Sequence, residues 1–188
     1  ALVLSHWAYG WTLYTFFNEL PLFCNEVLNL GPAITSIFTS IPSFTSWVVG
    51  LVFPAFVDEL IKKYHRNKVR KIVQSIAFFG CASVMIFIVA LKNIPIWFLL
   101  IIFILANAVS QFTLGGINCT FLDMAPPISG TLFAISNTIS NTAGFLVPLV
   151  TGFLTNEESS RETWNYVWLI YIGVGVLGGL VYIIFADC

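Results

Sequence analysis

Long apolar runs separated by short polar breaks dominate the 188-residue chain. Six of these runs reach the length of about 20 mostly apolar residues that a helix needs to cross a bilayer. The runs are too long for membrane-spanning strands and lack their period-two alternation. The pattern therefore predicts an all-α membrane protein with six transmembrane helices, at about 1–20, 34–61, 69–91, 94–121, 127–154 and 163–186.

Prolines indicate where two of these helices end or bend. Pro21 predicts the end of the first helix, because proline in a helix interior removes a hydrogen bond and clashes with the preceding turn. Gly31 and Pro32 mark the start of the second helix, and Pro42 and Pro54 predict bends within it.

Composition supports a membrane environment. Hydrophobic residues make up 58% of the chain and charged residues 9%, about a third of the charge of a soluble domain. Such a chain cannot cover a water-facing surface, so we expect lipid as its main neighbour. The net charge of −1 provides no field to attract nucleic acid. We expect no nucleic-acid partner.

The positive charges predict an orientation. Six of the eight Lys and Arg residues fall between Lys62 and Lys71, and four of these six lie in the basic loop 62–68. The positive-inside rule places this loop in the cytoplasm. Alternation across six helices then places both termini in the cytoplasm, in a lysosomal, vesicular or plasma membrane.

The first helix carries polar and aromatic side chains where lipid would favour aliphatic ones. Two neighbouring stripes recur at helical spacing: Tyr9, Thr12 and Thr15, and Trp11, Tyr14 and Asn18. Hydroxyl and aromatic groups suit the wall of a cavity that binds a polar solute. A packing seam between helices is the alternative.

The fifth helix carries a second polar pattern. Asn137 and Asn141 are four residues apart and share one face of the helix. Amides in this arrangement either hold helices together or line a water-filled path. Both interpretations stay open, and we count the two residues among the predicted cavity lining.

Two titratable residues of the first helix are candidates for coupling or gating. Charged groups within a membrane are costly and are often functional there, which draws attention to His6 and Glu19. Glu19 is either a proton- or cation-handling carboxylate at the external gate or a side chain that simply reaches the membrane surface.

The basic loop offers a third candidate site. Asp58 ends the second helix and could pair with Arg70 or Lys71 at the start of the third, as a breakable cytoplasmic latch. The alternative is an anchor that binds anionic lipid. We expect no metal site, because His65 lies among six cations, and no enzyme, because no catalytic constellation occurs.

Four segments together resemble one family of transporters: WTLYTFFNELPLFCNEVL, FVDELIKK with VRK, FLDMAPPISGTLFAISNTISNTAGFLVP, and TWNYVWLIY. They are similar to the anion-transporting branch of the major facilitator superfamily, which contains sialin, the sodium–phosphate cotransporter-like proteins and the vesicular glutamate transporters. The vesicular glutamate transporters have an arginine near the position of Tyr9. Its absence makes this chain look more like the sialin or phosphate members.

The resemblance implies that residues 1–188 form one six-helix bundle, the C-terminal half of a twelve-helix fold. It implies symport of small organic or inorganic anions by alternating access, coupled to H⁺ or Na⁺ and without another cofactor. The segment from Tyr9 to Thr15 would face the central cavity, and Asp58, Arg70 and Lys71 would match the latch.

The expected partner is a missing N-terminal six-helix half, because this half has no mid-membrane Lys or Arg to balance an anion. The start of the chain, apolar and without an initiator Met, supports the same expectation. The alternatives are a half-size transporter or channel that assembles with itself, and a membrane scaffold that does not transport.

Overall fold

The computed structural model describes residues 1–91, 94–156 and 159–186, and helices account for most of these residues. The α-helices of the described residues are α1 Leu2–Tyr14, α2 Leu20–Glu26, α3 Pro32–Lys63, α4 Arg66–Ser75, α5 Cys81–Ala90, α6 Ile96–Ser110, α7 Ile117–Met124, α8 Ser129–Ser140, α9 Ala143–Thr155 and α10 Arg161–Phe185. Short π or 3-10 turns join several of them: Thr15–Glu19, Ile76–Gly80, Gln111–Gly115 and Pro126–Ile128.

Five helical stretches of the described chain are long and apolar enough to cross a membrane: Pro32–Lys63, Arg66–Ala90, Ile96–Met124, Pro126–Thr155 and Arg161–Phe185. The helical stretch at 2–26 is not among them. His6, Asn18 and Glu19 lower its hydropathy, so its span stays a prediction. The predicted all-α, multi-pass membrane protein is confirmed.

The predicted end of the first helix at Pro21 is wrong. A π-helical turn at Thr15–Glu19 comes first, and Pro21 then lies in the first turn of α2. Proline is tolerated there because the N–H groups of a first turn have no partner within the helix. The helical path therefore continues to Glu26.

Aromatic side chains form the largest core cluster. Phe23 of α2 packs edge-on against Trp164 and Trp168 of α10, with ring centroids 5.2 and 5.3 Å apart. Phe103 of α6 lies 5.9 Å from Trp168. These large side chains are fully buried and hold α2, α6 and α10 together.

The stretch Ile96–Met124 is interrupted at Gly115 and Gly116. Side chains of α4 form hydrogen bonds with the backbone groups at this interruption. Gln74 accepts a hydrogen bond from the N–H of Ile117 at 3.0 Å, and Arg70 donates from Nη1 to the carbonyl of Gly115 at 2.7 Å. A Cβ on Gly116 would lie 2.3 Å from Gln74 Oε1, so alanine there would displace the side chain that accepts from Ile117. Irregular backbone at membrane depth is tolerated where protein groups satisfy it in this way.

Candidate functional site

The N-terminal half of α1 packs against α8 through a polar seam. His6 Nδ1 hydrogen-bonds with Ser136 Oγ at 2.8 Å, and Ser140 Oγ donates to the His6 carbonyl at 2.9 Å. The His6 ring is buried, with ring centroids 5.4 Å from Phe133 and 5.7 Å from Phe121. The His6 side chain thus contributes to the packing of α1 against α8 through this hydrogen bond.

Further along α1, the seam opens into an accessible polar cluster formed by Tyr14, Asn18 and Asn141. Tyr14 OH donates to Asn141 Oδ1 at 3.0 Å, and Asn18 Nδ2 donates to the carbonyl of Gly144 at 3.4 Å. Asn18 and Asn141 are exposed and Tyr14 is half-buried. The bond to Tyr14 uses the oxygen of the Asn141 amide, and within the described residues its NH₂ group makes no hydrogen bond, so it can donate to an anion.

The other predicted cavity residues of α1 do not all join this cluster. Thr12 and Thr15 donate to backbone carbonyls of their own helix at 2.8 Å. Trp11 packs with Ala143 in an apolar cluster. These three side chains are buried and stabilise helix packing.

Tyr9 and Thr12 line a small internal cavity of about 10 Å³ together with Cys81, Ser110 and Tyr171. This volume corresponds to about one water molecule. Tyr171 OH and Cys81 Sγ close one side of it, 2.8 Å apart. The cavity is too small for an organic anion in this conformation.

Asn137 lies one helical turn before Asn141 and is half-buried. Of the predicted amide pair, Asn141 belongs to the accessible cluster, whereas Asn137 lies beside the seam.

The sequence interpretation missed a second cavity, which lies between the 15–20 segment, α3 and α6. It has a volume of about 30 Å³ and is lined by Phe16, Phe17, Leu20, Thr39, Ser43 and Asn107. Ser43 Oγ donates to the Thr39 carbonyl at 2.6 Å, and Asn107 Nδ2 donates to the Phe103 carbonyl at 3.3 Å. Since these hydrogens are used within the helices, oxygen lone pairs remain for a ligand. The spacing of Thr39 and Ser43, one turn apart, was the available sequence signal.

Glu19 lies inside the bundle rather than at its surface. The residue is 2% exposed, so neighbouring helices cover it almost completely. The π-helical turn at Thr15–Glu19 shifts the helical register, and Glu19 is its last residue. The interpretation that Glu19 reaches the membrane surface does not match this placement.

The ion pair at the start of α4 has a different acid from the predicted one. Arg70 is 5% exposed and donates from Nε to Asp123 Oδ2 at 2.9 Å, and Arg66 Nη1 lies 3.5 Å from Asp123 Oδ1. Asp58 is exposed, and within the described ranges neither it nor Lys71 forms an ion pair. Asp123 belongs to the LDMAP turn, which the sequence interpretation used only as a family motif.

A polar contact joins α2 to α10 at the opposite end of the bundle. Glu26 accepts a hydrogen bond from Ser159 Oγ, which in turn accepts from Trp164 Nε1 at 3.0 Å. Arg161 lies 5.4 Å from the centre of the Phe23 ring. Ion-pair and polar contacts thus fasten both ends of the bundle, and the accessible polar cluster lies on the helices between them.

Comparison with known proteins agrees with the resemblance in sequence. Residues 2–187 match the profile of the Major Facilitator Superfamily. The chain is 28% identical to human sialin over 191 residues, covering 99% of this chain and 38% of sialin. It is 30% identical to probable anion transporter 6, chloroplastic, of Arabidopsis thaliana, covering 100% of the chain and 36% of that protein.

A third relative is human vesicular glutamate transporter 2, with 28% identity over 192 residues, covering 100% of this chain and 32% of that protein. The chain therefore spans less than two fifths of the length of these relatives. Because the family consists of transporters, the prediction of a non-enzymatic protein is confirmed. The chain belongs to the Major Facilitator Superfamily and is similar to sialin and to the vesicular glutamate transporters.

Proposed function

We propose that this chain forms the C-terminal six-helix half of a symporter of small organic or inorganic anions that works by alternating access. The observation that carries the proposal is the accessible polar cluster of Tyr14, Asn18 and Asn141. It offers amide and phenol groups on a spanning bundle, where lipid would favour apolar side chains. The names of the relatives support anions as the substrate class.

The proposed partner is an N-terminal six-helix half, together with membrane lipid. Large apolar side chains cover the exposed surface of α3, including Phe44, Trp47 and Val52. Part of this surface is available to a second bundle. The cationic groups that balance a bound anion would come from that bundle, because the polar cluster of this chain contains only neutral groups. Both termini and the 62–68 loop would lie in the cytoplasm.

Replacement of Tyr14 by Phe tests the substrate site. In the full-length protein, reconstituted in liposomes, Tyr14→Phe should lower the kcat/KM for anion uptake about fivefold, since one hydrogen bond within the cluster is worth about 1 kcal/mol. Thr138→Val is the matched control, because Thr138 is an exposed α8 hydroxyl bonded to its own helix.

Sialate, phosphate, urate and glutamate should be tested as substrates under imposed pH and Na⁺ gradients. Equal uptake by Tyr14→Phe and wild type would remove the cluster from the pathway. Flux through the 188-residue chain alone would favour self-assembly. If replacement of all the polar residues of the cluster left the uptake of every anion at the wild-type level, this bundle would act as a scaffold and not as part of the pathway.

The coupling ion is proposed to be H⁺ or Na⁺. Buried Glu19 supports a proton, because a carboxylate inside the bundle can bind one when the pathway opens. The side-chain oxygens of Thr39, Ser43 and Asn107 on one wall of the second cavity support Na⁺, since hard cations take oxygen ligands.

Glu19→Gln separates these two ions. If H⁺ is coupled at Glu19, the variant should lose uptake driven by a pH gradient while keeping anion exchange, which moves no net proton. Exposed Glu59 supplies the control variant Glu59→Gln. Retained pH-driven uptake in Glu19→Gln, with a dependence on Na⁺, would assign the coupling to the other ion.

A further inference from the structure

A groove with a volume of about 500 Å³ lies where α3 ends and α4 begins, remote in sequence from the polar cluster. It is bounded by the last turn of α3 and the first two turns of α4. The residues that line it are Leu60, Lys63, Tyr64, His65, Lys68, Val69, Ile72 and Val73. No role in the proposed pathway falls on this groove.

The groove changes from cationic to apolar along α4. Lys63, His65 and Lys68 lie at its loop end, whereas Ile72 and Val73 lie about one turn further into a stretch that spans the membrane to Ala90. Ile72 is 60% exposed and presents apolar surface to the groove. This order of charge and then hydrocarbon matches a phospholipid, with its headgroup at the membrane surface and its acyl chains inside.

The two lysines of the groove form no ion pair in the described part of the chain. Among the described residues, the ion pairs of this region join Lys62 to Glu59 and both Arg66 and Arg70 to Asp123. Lys63 and Lys68 take part in none of them, and both are exposed. Their charges therefore favour an anionic ligand at the loop end.

The start of α4 adds to this preference. His65 is its N-cap residue, and the His65 side chain makes no capping hydrogen bond. The N-terminus of a helix carries a partial positive charge, which favours a phosphate beside it. One ligand with an anionic group and an apolar chain could therefore contact the lysines, the N-terminus of α4 and the apolar wall of the groove at the same time.

We propose that this groove binds an anionic phospholipid. The headgroup phosphate lies at Lys63, His65 and Lys68, and an acyl chain lies along Leu60 and Ile72. The bound lipid fastens the first turns of α4, the helix that carries Arg66 and Arg70 to Asp123. The proposal does not depend on which anion, if any, the protein transports.

Lipid retention measured by native mass spectrometry tests the proposal. The full-length protein, purified in detergent, is mixed with phosphatidylserine or phosphatidylcholine. Wild type should retain phosphatidylserine over phosphatidylcholine, and Lys63→Gln/Lys68→Gln should lower phosphatidylserine retention about tenfold or more, since each lysine contributes to anionic lipid binding. These exposed side chains can change without loss of the fold, which size-exclusion elution checks.

Lys62→Gln/Lys71→Gln is the matched control, because it removes two positive charges from the same region outside the groove. It should leave phosphatidylserine retention near the wild-type level. Equal loss in both double variants would overturn the proposal, since the attraction would then be diffuse. Ile72→Asn should also weaken retention, at constant charge. Retention unchanged in Ile72→Asn, or phosphatidylserine fully displaced by glycerol phosphate, would exclude the acyl contact and overturn the lipid assignment.

Discussion

Asp123→Asn should lower the free energy of unfolding by about 3 kcal/mol, because removal of one partner leaves the other buried charge uncompensated. Arg70 is 5% exposed, and its Nε lies 2.9 Å from Asp123 Oδ2. Its bond to the Gly115 carbonyl remains in the variant, but a neutral carbonyl balances less charge than a carboxylate. Denaturant unfolding of the detergent-solubilised protein, followed by tryptophan fluorescence, measures the change.

Asp58→Asn provides the comparison for this prediction. Asp58 is exposed and belongs to no ion pair in the part of the chain that the structure describes, so its loss should change stability by less than about 0.5 kcal/mol. A larger loss of stability in Asp58→Asn than in Asp123→Asn would instead support the pairing of Asp58 with Arg70 or Lys71 that the sequence predicted. If both variants matched wild type, the Arg70–Asp123 contact would contribute nothing to stability.

Gly10→Ala should destabilise the bundle by about 2 kcal/mol and lower transport by the full-length protein. A Cβ at this position would lie 2.3 Å from Ser140 Oγ and 2.8 Å from the Ser140 carbonyl oxygen. The hydroxyl can rotate away but the backbone carbonyl cannot, so α1 must move off α8. Overpacking of this kind costs about 1–3 kcal/mol.

Gly173→Ala in α10 is the control, because nothing lies within 4 Å of a Cβ placed there. Alanine is the better helix former, so this variant should be at least as stable as wild type. Unfolding midpoints of the two variants, measured side by side, check the difference. Equal midpoints would mean that α1 and α8 are not in close contact.

The movement of α1 should also disturb the polar cluster, since Tyr14 lies one turn beyond Gly10 on the same helix. The effect on uptake therefore separates a loss of packing from a loss of substrate contacts. Gly10→Ala should lower both stability and uptake, whereas Tyr14→Phe should lower uptake with little change in the unfolding midpoint.

Hydropathy alone located most of the helices, because each spanning segment must satisfy its backbone hydrogen bonds within itself. The structure places α3 at Pro32–Lys63 and α10 at Arg161–Phe185, close to the predicted 34–61 and 163–186. The error at Pro21 has a local cause. Proline ends a helix when it lies in the interior, but the π-helical turn before it makes Pro21 part of a new first turn.

The candidate site was less predictable, because it depends on which helices touch. Spacing along α1 predicted stripes, and the contacts with α8 and α9 then divided them. Trp11, Thr12 and Thr15 are buried between the helices, whereas Tyr14 and Asn18 join the accessible cluster. The spacing along the helix is the same for buried and for accessible residues, so only the position of the neighbouring helix decides which of them are accessible.

The sequence by itself determined the membrane environment, the helical class, the approximate spans and the family, since these follow from local hydropathy and from motifs. Only the tertiary structure decided that Arg70 pairs with Asp123 rather than Asp58, and that Glu19 is buried. Arg70 and Asp123 are 53 residues apart in the chain. A contact at such separation depends on how the helices pack against each other, which the periodicity of any one helix does not specify.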